Sequence, residues 1–191
     1  MNRQDHYFFA IELPKEVKES LGDWVTELKH IYSYKSWVHP SDYHITVAFL
    51  GGASQSMLDG AIKLLQSKIK EHSSFPLTIT GLGTFGMKDS PRILWADVRK
   101  QPLLYELQKD VWTACTKIGF ELDTKPFTPH ITMARRCLEK TEGGSIDQVE
   151  DSLPFIPEFK VRHLVLYRTN SHSIPKYEPI VKFRLTESAS S

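Results

Sequence analysis

The sequence predicts an α+β fold of two pseudo-symmetric lobes, each an antiparallel sheet with outer helices, with a cleft between the lobes. Segments whose apolar residues alternate with a period of two are interspersed with segments of helical spacing, which indicates strands and helices in one chain. A strand motif, His-Ile-Thr, occurs at His44 and again at His130, 86 residues later. No low-complexity linker separates the halves. We therefore expect a single bilobal domain over 1–191, with repeat units of approximately 7–90 and 91–185.

Other segments repeat at nearly the same offset as the two histidines. Residues 8–10 (Phe-Phe-Ala) align with 94–96 (Leu-Trp-Ala), and 75–82 align with 159–166 at an offset of 84. Self-similarity at a fixed offset is typical of a duplicated structural unit. Two such units related by a pseudo-two-fold axis would bring their His/Thr strands together across the cleft.

The first half reads as strand, helix, strand, helix, strand. Helical spacing of large apolar residues and the turn residues Gly51 and Gly52 mark the boundaries. The predicted elements are a strand over Tyr7–Leu13, a helix beginning at Pro14 with Val17, Leu21, Trp24, Val25, Leu28 and Ile31 inward, a strand over Tyr43–Leu50, a helix capped by Ser54 or Ser56, a strand over Phe75–Leu82, and connections at 33–41 and 84–90.

The second half repeats this order with a longer tail of strands. Pro102 suits the first turn of a helix and Gly119 its end. The predicted elements are a strand over Arg92–Val98, a helix from Pro102 to Gly119, a strand over Pro129–Ala134, a weaker helix within 138–153 interrupted at Gly143, a strand over Phe159–Arg168, a strand over Tyr177–Leu185, and a disordered tail at 186–191.

Composition limits the function classes. A net charge of +1 and a pI near 7.8 argue against a sequence-blind polyanion binder, which usually has a strongly basic face. The two cysteines, Cys115 and Cys137, form no metal motif, and this usage fits a reducing cytoplasm. The apolar run at residues 7–13 is too short for a secretory signal, and no stretch is long enough to span a membrane.

The two His/Thr strands carry the candidate chemistry. Because successive strand residues point to opposite faces, His44 shares a face with Thr46, and His130 shares a face with Thr132. The ordinary pKa of histidine allows either protonation state near neutral pH, so two facing imidazoles suit general acid–base catalysis. Threonine hydroxyls can hydrogen-bond to a charged oxygen.

Acid–base catalysis has two alternatives, a metal site and a non-catalytic binding module. A metal site is disfavoured because the motif is neither His-x-His nor HExxH and no acidic residue follows at ligand spacing, so we expect no metal and no cofactor. A non-catalytic RNA- or nucleotide-binding module is the alternative from another functional class. Such a module would tolerate the loss of one histidine proton-transfer group, whereas an enzyme would not.

Three segments resemble the two-histidine (2H) phosphoesterases, and within them the bacterial RNA 2′,3′-cyclic phosphodiesterases, also called 2′-5′ RNA ligases. The segments are 43–51 (YHITVAFLG), 92–96 (RILWA) and 125–135 (KPFTPHITMAR), and the resemblance extends from Tyr7 to about Leu185. This chain has Lys125 where the family often has arginine. The resemblance implies hydrolysis of RNA 2′,3′-cyclic phosphate ends to 2′-phosphate, with reversible 2′-5′ ligation at the same site.

The resemblance also implies residue roles. His44 would be the proton donor and His130 the proton acceptor, while Thr46, Thr132 and Arg135 would bind phosphate. The expected ligands are RNA ends or nucleotides that bear a 2′,3′-cyclic phosphate, without an obligate protein partner.

Arg135 raises a geometric question, because a position five residues after His130 lies on the opposite face of a regular strand. Contact with phosphate would require the strand to bend or end near Ala134, and Arg136 is the alternative on the correct face. Three aromatic residues are candidates for stacking a base, although strand aromatics more often belong to the core. These are Phe9, Tyr43 and Phe127.

Overall fold

The computed structural model describes residues 5–87, 90–139 and 149–187. Over these residues the chain forms one large antiparallel sheet, a small two-stranded sheet and three α-helices. The predicted α+β class is confirmed. No helix within the described ranges is long and apolar enough to cross a membrane.

The strands and helices alternate in the first half and more loosely in the second. The strands are β1 (His6–Glu12), β2 (Ser33–Trp37), β3 (His44–Gly52), β4 (Phe75–Leu77), β5 (Ile79–Met87), β6 (Ser90–Val98), β7 (His130–Glu139), β8 (Phe159–Val161), β9 (His163–Thr169) and β10 (Tyr177–Arg184). The helices are α1 (Lys15–Ile31), α2 (Gln55–Lys68) and α3 (Pro102–Ile118), and single 3₁₀ turns occur at Pro40–Asp42 and Ile69–Glu71.

The large sheet has the strand order β10-β9-β1-β3-β7-β6-β5, and β2 also pairs with β7. Strands β3 and β7 pair where Ile45 lies opposite Ile131. This pair joins the two halves of the sheet. One half is β10-β9-β1-β3, which ends with the first His/Thr strand, and the other is β7-β6-β5, which begins with the second. Beyond it β7 continues alongside β2 instead, because β3 and β7 diverge.

Each His/Thr strand contains a β-bulge at the same position. Thr46 pairs with Ala10 and Ala48 with Phe9, so Val47 is an extra residue in β3. In β7, Thr132 pairs with Trp95 and Ala134 with Leu94, so Met133 is extra. A bulge reverses the alternation of side chains beyond it.

The core lies on the face of the sheet opposite the His/Thr side chains. One continuous apolar cluster joins the inward strand residues to the three helices. Buried members include Ile11, Ile45 and Ile131 from strands and Leu28 and Leu65 from helices. The helical spacing therefore identified the core faces, including buried Cys115 on α3.

Helix boundaries follow local signals. The Ser54 hydroxyl accepts a hydrogen bond from the Met57 backbone N–H, so Ser54 is the cap of α2 rather than Ser56. Pro102 occupies the first turn of α3, and Gly119 ends it in a left-handed conformation with φ of 105°. Pro14 lies just before α1 rather than in its first turn.

Several predicted boundaries are wrong. The connection at 33–41 contains β2, since its aromatic residues pair with the second half of β7. The loop predicted at 84–90 is largely strand, because β5 runs to Met87. The strand predicted over Phe159–Arg168 divides at Arg162, with β8 pairing to β4 and β9 to β1. Strand β7 extends to Glu139, where the weaker helix was expected to start. The rest of that helix falls mainly outside the described residues, as does the tail beyond 187.

Candidate active site

The pairing of Ile45 with Ile131 brings the two His/Thr pairs to the centre of the sheet. Extending this antiparallel register by one residue places His44 level with Thr132 and Thr46 level with His130. Opposed side chains on one face of a sheet are about 5 Å apart at Cβ. All four side chains are half-buried, whereas both isoleucines are fully buried on the other face. The four residues predicted as the core of the site are therefore brought together.

Both imidazole rings are held in the same way. His44 Nδ1 lies 2.7 Å from the carbonyl oxygen of Asp42, and His130 Nδ1 lies 2.7 Å from that of Thr128. A carbonyl oxygen can only accept, so Nδ1 carries the hydrogen in each ring. Nε2 is left for proton transfer. His44 Nε2 lies 3.0 Å from the Thr46 hydroxyl, which donates to it when the ring is neutral.

Electrostatics keep both rings neutral in the free protein. Burial lowers the pKa of His44 to about 4, and the positive charges of Lys18 and Arg135 contribute to the decrease. Burial, with a further contribution from Arg135, also lowers the pKa of His130. A bound anion would act in the opposite direction, since negative charge near an imidazole favours its protonated form.

Arg135 shares the site face with the two histidines because of the bulge at Met133. Met133 and Ala134 are both fully buried, and Arg135 is exposed. Its guanidinium lies near the hydroxyl of Tyr177, where it opposes the rise in the pKa of Tyr177 that burial causes. Arg136 follows in a left-handed conformation with φ of 62°. The bulge thus places Arg135 on the site face, whereas a regular strand would place it on the opposite face.

Aromatic rings surround each histidine, and sequence reasoning missed them. His44 lies 4.9 Å from Phe8 and 5.1 Å, edge-on, from Tyr177, measured between ring centroids. His130 lies 4.9 Å, also edge-on, from Phe85. Its other neighbour is Trp95 at 5.8 Å. These rings exclude water from one side of each imidazole and account for the burial that lowers both pKa values.

Two of the three predicted stacking residues cannot reach a ligand. Phe9 and Tyr43 are buried in the core, at 0% and 1% exposure. Phe127 instead lines a cavity of about 690 Å³ beside His130. The cavity walls combine aromatic and polar side chains, among them Phe49, Phe85, Trp112, Asp123 and Lys125. Phe49 is exposed on the site face because the bulge at Val47 turns it there, as the bulge in β7 turns Arg135.

A buried carboxylate links His44 to a distant loop. Asp42 is 4% exposed, and its carboxylate accepts backbone N–H hydrogen bonds from Lys176 at 2.9 and 3.0 Å and from Tyr177 at 3.1 Å. The backbone carbonyl of the same residue holds His44. No sequence signal pointed to this contact, because its partners are more than 130 positions away.

The donor set suits proton transfer. In the part of the chain that the structure describes, no three His, Cys, Asp or Glu side chains cluster as metal ligands would. What the site contains is two imidazoles with available Nε2 atoms, two hydroxyls and one guanidinium. This set can move protons and hold a phosphate group, which is the class of site found in two-histidine phosphoesterases.

Comparison with known proteins agrees with this class. A model of the 2′-5′ RNA ligase superfamily matches residues 17–173, and the chain belongs to that superfamily. It is 39% identical over 186 residues to the RNA 2′,3′-cyclic phosphodiesterase of Geobacillus stearothermophilus, which covers 96% of this chain and 58% of the relative. The chain therefore spans little more than half the length of that relative.

Two further similarities cover nearly the full length of both compared chains. The chain is 29% identical over 191 residues to the RNA 2′,3′-cyclic phosphodiesterase of Bacillus subtilis strain 168, with 95% of this chain and 97% of the relative covered. The crystal structure of E. coli LigT complexed with 3′-AMP matches with a TM-score of 0.77 and 26% identity, covering 96% of this chain and 99% of that chain. This likeness confirms the two-lobed arrangement.

Proposed function

We propose that this protein hydrolyses the 2′,3′-cyclic phosphate at the end of an RNA strand to a 2′-phosphate, by acid–base catalysis with two histidines and without a metal ion. The observation that carries the proposal is the placement of His44 and His130 on adjoining strands, each with Nδ1 bound to a carbonyl oxygen. The relatives named RNA 2′,3′-cyclic phosphodiesterase support the substrate class.

In the proposed reaction, His130 Nε2 accepts a proton from water as the water oxygen bonds to phosphorus. The bond from phosphorus to O3′ breaks on the opposite side, and His44 Nε2 donates its proton to O3′. The product carries a 3′-hydroxyl and a 2′-phosphate. The assignment of acid to His44 and base to His130 follows the family.

Thr46, Thr132 and Arg135 would hold the non-bridging oxygens, on which negative charge increases in the transition state. The substrate also changes the histidines. Its negative charge favours the imidazolium form, so binding would raise the pKa of His44 from its low value in the free protein. The imidazole of His44, which is neutral in the free protein, would thus become protonated and able to act as the acid when the substrate binds.

The same groups would support 2′-5′ ligation. A 5′-hydroxyl in place of water would give up its proton to His130 and form a 2′-5′ phosphodiester. We further propose that the active unit is a single bilobal domain, with repeat units of about 7–90 and 91–185, that works in the cytoplasm without an obligate protein partner.

The test is incubation with a nucleoside 2′,3′-cyclic phosphate, followed by phosphorus NMR. We expect one product, the 2′-phosphate, and a loss of roughly 10²–10⁴-fold in rate for His44→Ala or His130→Ala. Binding without turnover by the wild-type protein would favour the non-catalytic binding module. Formation of the 3′-phosphate would show that O2′ is the leaving group and contradict the proposed orientation.

A further inference from the structure

A second cavity lies at the end of β1, the strand that pairs with β3 on the side away from β7 and His130. Its volume is about 460 Å³, within the range of small-ligand sites. Glu12 forms part of its wall, and in the pairing of β1 with β3 Glu12 lies directly opposite His44. Ser41, three residues before His44, forms another part. The cavity is therefore one strand away from the proposed acid.

The walls of this cavity are predominantly cationic. Four cations line it, namely Lys15, Lys18, Lys160 and Arg162, against the single carboxylate of Glu12. That carboxylate is already engaged, because it lies 2.7 Å from Lys182 Nζ and 3.2 Å from His163 Nδ1. The cavity therefore offers positive charge that its own acidic residue does not neutralise.

Two of these cations lack an ionic partner. Lys18 Nζ donates to the carbonyl oxygen of Ser41 at 2.7 Å, but no carboxylate forms an ion pair with it in the described residues. Arg162 is exposed and likewise makes no ion pair within those ranges. Burial lowers the pKa of Lys18 because the ammonium is partly desolvated, and the nearby charges of Glu12 and Asp42 offset this cost only in part. An anion in the cavity would offset that cost.

The proposed reaction indicates which anion this is. O3′ leaves toward His44, so the ribose lies on the His44 side of the phosphorus atom. The RNA strand continues from the 5′ carbon of that ribose, and the cationic cavity lies on the same side of the sheet centre. We propose that this cavity binds the phosphodiester 5′ to the terminal nucleotide, so that the protein prefers an oligonucleotide with a cyclic phosphate end over a mononucleotide. This inference rests on the proposed function.

The test compares two substrates, adenosine 2′,3′-cyclic phosphate and the dinucleotide ApA with the same end. The dinucleotide adds one phosphodiester and one nucleoside. We expect its KM to be roughly tenfold lower, as for one added hydrogen bond between charged groups. The logarithm of its kcat/KM should also fall more steeply with the logarithm of salt concentration, by a slope of about 0.7 for one more single-strand phosphate.

The variants are Arg162→Gln alone and together with Lys160→Gln. Both residues lie outside the proposed catalytic set, so mononucleotide turnover should stay at the wild-type level while the dinucleotide loses its KM advantage and its extra salt slope. Lys63→Gln is the matched control, because Lys63 is an exposed lysine on α2 away from the cavity. A dinucleotide abasic at its first position separates phosphate binding from base stacking.

Each result decides one question. Equal KM values and equal salt slopes for the two substrates in the wild-type protein would overturn the cavity proposal and leave the proposed function intact. An advantage retained in the double variant, or lost in the abasic dinucleotide, would also overturn it. Failure to hydrolyse either substrate would instead overturn the proposed function.

Discussion

The buried carboxylate of Asp42 accepts a hydrogen bond from the backbone N–H of Tyr177, whose ring lies edge-on to His44. The carbonyl oxygen of Asp42 also holds the Nδ1 of that histidine. One residue thus fixes the histidine directly and fixes one of its aromatic neighbours through the loop before β10. No corresponding carboxylate contact supports His130 within the described ranges.

This relationship predicts that Asp42→Asn weakens catalysis, although Asp42 is not one of the groups proposed to contact the substrate. An amide has one acceptor oxygen, and its NH₂ group would face a backbone N–H. We expect kcat to fall by roughly 10- to 100-fold from misplacement of His44. The free energy of unfolding should fall by about 2 kcal/mol, as for a lost hydrogen bond to a charged group.

Steady-state kinetics and urea denaturation measure these effects, with nitrogen NMR of the His44 ring as a local probe. Asp59→Asn, on an exposed face of α2, is the control. An Asp42→Asn protein that keeps the wild-type kcat and His44 spectrum would show that Asp42 only stabilises the fold.

Protonation of the histidines should depend on ligand. In the free protein the pKa of His44 is about 4, against an ordinary value of 6.5, so the unfolded chain binds more protons between these values. Stability should therefore rise as pH rises through this window, and His44→Gln should reduce that slope. Added phosphate should raise the pKa of both histidines. Proton NMR titration with and without phosphate is the measurement, and unchanged histidine titration in saturating phosphate would contradict this account.

The same pKa shifts predict how the reaction rate depends on pH. The pH dependence of kcat/KM should be bell-shaped, because one imidazole must be protonated and the other neutral. Its limbs belong to the coupled pair in the free enzyme, where burial lowers both pKa values. The bell for kcat should lie at higher pH, since it reports the substrate complex. Coincident bells, with chemistry rate-limiting, would mean that the bound phosphate does not act on the histidines.

The neighbouring arginines of β7 should differ sharply in their effects. Arg135 lies on the site face and its charge reaches both histidines, whereas Arg136 follows the bulge in a left-handed conformation. We expect Arg135→Ala to lose roughly 10²–10³-fold in kcat/KM, as for removal of a transition-state donor. Arg135→Lys should recover only part, since it keeps the charge but not the fork. Arg136→Ala is the matched control, and a loss as large as that of Arg135→Ala would refute the bulge argument.

Activity should survive EDTA. The proposed proton donor and acceptor are imidazoles whose Nδ1 atoms are occupied by carbonyl hydrogen bonds, and the hydroxyls and guanidinium supply the charge stabilisation that a metal would otherwise give. The measurement is turnover of the cyclic nucleotide after dialysis against EDTA. Loss of turnover that one divalent ion restores would show that a metal ion takes part.

Local signals made the His/Thr strands and the helices predictable. His44 and His130 stand in short apolar runs of period two, and the turn residues around them are local in sequence. The bulges at Val47 and Met133 were not predictable, because no glycine or proline marks them and they depend on the register with neighbouring strands. A prediction that assumes a regular strand therefore places Arg135 on the face opposite His130.

Contacts between distant segments were equally hidden. The carboxylate of Asp42 accepts hydrogen bonds from backbone N–H groups more than 130 positions away, and backbone groups carry no residue-specific signal. Strand β2 is short and half polar, so only its pairing with β7 reveals it. The fold class and the site's centre follow from the sequence, while the support around the site depends on the assembled sheet.

The central claim is that the two histidines transfer protons in opposite directions, and leaving-group rescue tests it most directly. The measurement is the rate of His44→Ala and His130→Ala on a cyclic substrate with sulfur in place of O3′. A thiolate leaves with little protonation, so His44→Ala should recover much of its lost activity relative to wild type. His130→Ala should stay impaired, since water must still lose a proton. Rescue of His130→Ala alone would reverse the two roles. Rescue of neither variant, with both shown by circular dichroism to be folded, would contradict proton transfer by the histidines.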